Sequence, residues 1–67
     1  MRERETLKQV YGSTLAAVDL LRLVDSMLES RGIPAGAQER EFIFHSLGYI
    51  ADAQEAIEAV IPPQELF

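Results

Sequence analysis

The sequence predicts an all-α fold: an antiparallel two-helix hairpin that dimerises into a four-helix bundle. Three observations predict it. Apolar residues recur at alternating steps of three and four through two long stretches, the spacing of a helix face. The stretches are separated by Arg31-Gly32-Ile33-Pro34-Ala35-Gly36, a run suited to ending one helix and starting another. Each stretch also carries a second apolar stripe, and two helices alone cannot bury four stripes.

The hairpin is expected over residues 1–61, with a helix at about 5–31, a turn at 32–36 and a helix at about 37–60; residues 62–67 form a short tail. Thr6-Leu7-Lys8-Gln9 fits a capping box at the start of the first helix, where the Thr oxygen and the Gln side chain satisfy free backbone amides. A start a few residues earlier, through Arg2–Glu5, fits equally well. Gly12-Ser13 is the weak point of this helix, since a mid-helix glycine costs about 1 kcal/mol relative to alanine. Gly32 suits the left-handed residue that ends helices. Ile33 then folds back on Leu28, and Pro34 prevents continuation. The second helix places Glu39 and Glu41 near its first turn, where the helix dipole favours acids. Pro62-Pro63 ends it. The tail is expected to be disordered unless Leu66 and Phe67 dock.

The seam of the hairpin is read from the first stripe on each helix. It comprises Leu7, Val10, Thr14, Ala17, Leu21, Val24 and Leu28 on the first helix. On the second it comprises Ile43, Leu47, Ile50, Gln54, Ile57 and Ile61. Folding the chain at Ile33-Pro34 sets the layers, from Val24 with Ile43 at the turn to Leu7 with Ile61 at the open end. Thr14 and Gln54, the two polar seam residues, fall in the same layer. Paired there, they fix the register, because a slip would bury one of them alone; the alternative is that both sit at a wet edge. Tyr11 lies at the rim of the seam and is expected in the core.

The second stripe on the first helix is Ala16, Leu20, Leu23 and Met27, about 120° around from the first at the helical 3.6-residue repeat. On the second helix it is Phe42, Tyr49, Ala53, Ala56 and Val60. These nine residues are the expected protein interface, and a lone hairpin would expose a patch of several hundred Å2, large for a monomer. Either a second copy of the chain or a different protein would cover it. Phe44 points away from both stripes. It is either an exposed binding anchor or tucked beneath the Ile33-Pro34 loop.

Size supports the need for a partner. A chain of 67 residues buries only about 60% of its unfolded surface, and a core of this size rarely supplies more than roughly 3–5 kcal/mol. There is no cysteine and one histidine, His45. Disulfides, thiolate metal sites and multi-histidine sites in one chain are therefore excluded, which leaves association. The lack of cysteine fits a cytoplasmic setting. The charged start, Met1–Lys8, is no signal peptide, and Leu15–Val24, broken by Asp19 and Arg22, is far short of the ~20 apolar residues that span a bilayer.

The net charge is −5. In residues 1–35 acids and bases balance. Residues 36–67 hold Glu39, Glu41, Asp52, Glu55, Glu58 and Glu65 against Arg40 alone. No basic stripe is available to displace counterions from phosphates, and an anionic membrane would repel the second half. A hairpin-dimer regulator of RNA or DNA would need Arg2, Arg4, Lys8, Arg22 and Arg31 gathered on one face; this is the alternative reading.

No constellation points to catalysis. Glu41, His45 and Asp52 lie along one helix face, where His45 could serve as a base. No serine or cysteine nucleophile is placed beside it, and a solvated face with an i,i+4 Glu41–His45 pair accounts for the pattern. Asp52, Glu55 and Glu58 read as another solvated face. The Glu-x-x-His pairs of helical metal sites are missing, as are phosphate-binding glycine loops. The expectation is a non-enzymatic protein-binding module (adaptor, chaperone or regulator) with no catalytic residue, metal or cofactor.

Overall fold

The first helix begins earlier than the capping box suggests. In the computed structural model, which describes residues 2–66, α1 runs Arg2–Ser30, α2 runs Gln38–Val60 and a single turn, α3, covers Pro63–Leu66. Thr6 therefore sits inside α1 and does not cap it. The reason is local: Arg2–Glu5 contains good helix formers, and Glu3 and Glu5 lie in the first turn, where the dipole favours them. The helix continues unbroken through Gly12 and Ser13.

Gly32 closes α1 as expected. It is the one described residue with a left-handed backbone, φ 82°. Its amide donates to the Glu29 carbonyl at 2.9 Å, and the Ile33 amide donates to the Leu28 carbonyl at 3.1 Å. These two bonds make a Schellman motif and satisfy carbonyls left open at the helix end. The Ala37 amide donates to the Pro34 carbonyl at 2.9 Å, which turns the chain into α2. Ala37 caps α2 without a side-chain bond, and the acids Glu39 and Glu41 oppose the free amides of the first turn.

The two long helices pack antiparallel, in a rod with extents of 47 × 18 × 15 Å. On α2 the seam is the one read from the sequence. Ile43, Ile57 and Ile61 are buried, and Leu47, Ile50 and Gln54 are half-buried. On α1 the seam is turned. Tyr11 is buried and Asp25 half-buried, whereas Val10 and Val24 are each 44% exposed. The inward positions are Leu7, Tyr11, Thr14, Val18, Leu21, Asp25 and Leu28, again at steps of three and four. The assignment of Val10 and Val24 to the seam is thus corrected. Polar partners across the seam account for the turn: Tyr11 is tied to Glu58 and Asp25 to Arg40.

Residues 62–66 of the tail are ordered. The Glu65 amide donates to the Pro62 carbonyl at 2.9 Å, the Arg4 guanidinium pairs with the Glu65 carboxylate, and Leu66 is half-buried. The expected docking of Phe67 lies outside the described residues.

Candidate functional site

The polar ties of the hairpin lie on one flank of the seam. Counting about 100° per residue from the seam, Tyr11, Glu29, Arg40 and Glu58 all fall on the same angular side. Rotating an antiparallel pair about the axis perpendicular to both helices exchanges the helices and keeps each face. Positions on the same angular side of the two seams therefore share one broad face of the hairpin.

On this polar face Arg40 holds the turn end together. Its Nε donates to Asp25 Oδ1 at 2.8 Å and its Nη2 to Asp25 Oδ2 at 3.1 Å, a two-pronged pairing that fits the flat guanidinium. Its Nη1 donates to the Ile33 carbonyl at 3.1 Å, and Glu29 accepts from Nη2 at 3.4 Å. Arg40 is only 7% exposed, so each donor needs these partners. The hydrogen bond from Arg40 holds the Asp25 carboxyl below its usual range, and the same bond raises the guanidinium pKa. Midway along the hairpin, the Tyr11 hydroxyl donates to Glu58 Oε2 at 2.5 Å, which raises the phenol pKa.

The opposite face is apolar. Its α1 half contains Val10, Ala17, Leu20, Val24 and Met27, and its α2 half contains Phe42, Tyr49, Ala53, Ala56 and Val60. From Thr6 to Met27 and from Phe42 to Val60 no charged residue falls on it. All nine interface residues read from the sequence are exposed, up to 76% at Tyr49. The structure gathers seven of them here: Leu20, Met27, Phe42, Tyr49, Ala53, Ala56 and Val60. Ala16 and Leu23 fall instead on the back of α1, directly away from α2. Val10, Val24 and the half-buried Ala17, which the periodicity placed in the seam, belong to this face.

Phe44 is half exposed and lies on the polar flank of α2. With His45, Gly48, Tyr49 and Asp52 it lines an open surface groove of about 390 Å3. Glu41 and His45 are both exposed, and the expected pair between them does not form. Among the described residues no group of three or more His, Asp or Glu side chains is placed to hold a metal ion. Among the described residues no helix is long and apolar enough to cross a membrane.

Arg4, Lys8 and Arg22 fall on the polar flank with Arg40, where acids partner most of them. Arg4 pairs with Glu65, Lys8 stands 3.8 Å from Glu5, and Arg40 is enclosed by Asp25 and Glu29. The cationic surface that nucleic acid would need is thus partly neutralised within the chain. Comparison with protein-family models, with curated proteins and with solved structures finds no match.

Proposed function

We propose that this chain is a small non-enzymatic protein–protein interaction module that works through the apolar face of its hairpin. The segregation of the two faces carries the reading. Among the described residues every long-range polar tie lies in the seam or on one flank, and the other flank presents large apolar side chains with no charge among them. A face of that composition is costly to leave in water and has no charged group to direct chemistry. Adaptor, chaperone and regulator roles all use such a surface. Closed by a second copy of the chain, it becomes the core between the two layers of a four-helix bundle.

Light scattering over a concentration series, with helicity read on the same samples, tests the reading. The expected result is a strongly helical species of twice the 7.5 kDa chain mass. Leu20→Asp, in the middle of the face, returns the mass to that of one chain. A fully helical, heat-stable monomer at every concentration would overturn the reading, because the face would then need no cover.

A further inference from the structure

We infer that the apolar face is covered by a second copy of the chain lying end-for-end, with α1 on α1, α2 on α2 and the two turns at opposite ends. This rests on the interaction-module reading and adds the identity and orientation of the partner.

The exposed area suits closure by a second copy. The chain exposes 4994 Å2, whereas a compact folded chain of its mass exposes about 4,250 Å2. The excess, roughly 750 Å2, matches the ~800 Å2 that each partner contributes to a stable interface. Charge argues the same way. The chain carries a net −5, yet two copies can meet on this face without bringing like charges together. A basic partner would find its complement on the other flank.

Side-chain size sets the orientation. The uncharged stretch of the face is centred near Ala17 on α1 and near residue 51 on α2. The Thr14–Gln54 bond puts those two midpoints at the same height. A two-fold axis across the helices at that height sets Ala17 against Ala17 of the second copy. Tyr49 then lies over Ala53 of the second copy, Leu20 over Ser13, Val24 over Val10 and Phe42 over Val60. The largest exposed side chain thus meets a small one, as close packing requires. The other two-fold arrangement has both turns at the same end and α1 over α2 of the second copy. It stacks Tyr49 on Leu20, which sets two large side chains against each other in one layer.

The chain has no cysteine, so single-cysteine variants give an unambiguous test. Gly36→Cys lies in the turn, where an added side chain meets nothing within 4 Å. Spin labels there should lie apart by about the 47 Å length of the hairpin. Ala17→Cys should form an inter-chain disulfide on mild oxidation, since its Cα atoms approach across the axis. A dimer with the turn labels within roughly 20 Å, the width of two helices, and no Ala17→Cys cross-link would overturn the end-for-end arrangement while leaving the interaction reading intact. A stable helical monomer would overturn both.

Discussion

The Gln54 side-chain amide donates to the Thr14 hydroxyl across the seam at 3.1 Å, and that hydroxyl donates in turn to the Tyr11 carbonyl at 2.6 Å. Both side chains are half-buried, so each offsets the other's loss of water. The pair fixes which residue of α1 faces which residue of α2. Replacing both by apolar residues of similar shape, as Thr14→Val with Gln54→Leu, should leave stability unchanged or raise it. It should also loosen the register, because apolar layers tolerate sliding. Thermal melting reads the first effect. The number and width of amide resonances read the second, and a single sharp set of signals from the double variant would refute the register role.

The layer of Thr14 and Gln54 was legible in the sequence because the turn position alone sets it. The whole α2 seam was legible for a similar reason: its isoleucines and Leu47 leave one choice of face. On α1 the apolar residues lie all round, so periodicity could not choose between Val10 and Tyr11 or between Val24 and Asp25. The decision belongs to Glu58 and Arg40, on the other helix. One signal was available: Arg40 continues the α2 spacing one step before Ile43, about one helical turn from Asp25 and within reach of its long side chain. The same turn of α1 moves Leu23 and Ala16 to the back of the hairpin, so two of the nine residues that the sequence placed in the interface fall off the apolar face.

Arg40 and Asp25 should give the turn end of the hairpin its pH dependence. The Asp25 pKa is lowered in the folded chain from its ordinary 3.8. Stability from the pairing is therefore complete above that value and is lost as pH falls through the depressed pKa. Arg40→Met removes the pairing and leaves the Asp25 carboxylate without its partner. The melting temperature should fall by several degrees at neutral pH, and the difference from the wild-type chain should shrink to nothing in strong acid. A difference that stays constant down to pH 2 would show that Arg40 acts by packing alone.

Tyr11 acts at the other limit. Its pKa is raised above 10.0 by the bond to Glu58. The stability it contributes is complete below 10.0 and declines as pH rises through the raised pKa. Tyr11→Phe should remove that alkaline decline. Absorbance of the phenolate, followed beside the melting temperature, checks it: titration of Tyr11 at its ordinary value would rule out the bond.

Two glycines of α1 and its cap should respond oppositely to the same substitution. Gly12 is mid-helix with nothing within 4 Å of an added Cβ, so Gly12→Ala should stabilise the chain by about 1 kcal/mol. Gly32 has equal room but a positive φ, so Gly32→Ala should destabilise it by roughly 1 kcal/mol. In a chain of this size each change corresponds to a shift of roughly 4–8 °C in Tm. Equal shifts in one direction would mean that space, and not backbone conformation, governs both sites.

Ala51 and Ala53 separate the two faces most sharply. Both are exposed alanines of α2, two positions and about 200° apart, so the same substitution at each makes a matched pair. Ala53→Glu places a carboxylate at the centre of the apolar face, close to its copy across the proposed axis. Burying it unpaired costs several kcal/mol, and each 1.4 kcal/mol is a tenfold change in affinity. Association should weaken at least ~100-fold. Ala51→Glu places the same group on the polar flank beside Glu55 and Glu58, where water reaches it. Helicity should be alike in the two variants, since alanine and glutamate differ little in helix propensity. Sedimentation of both, over the same concentrations, distinguishes a face-specific effect from a general one: equal losses of mass would mean that added negative charge, rather than its position, prevents association.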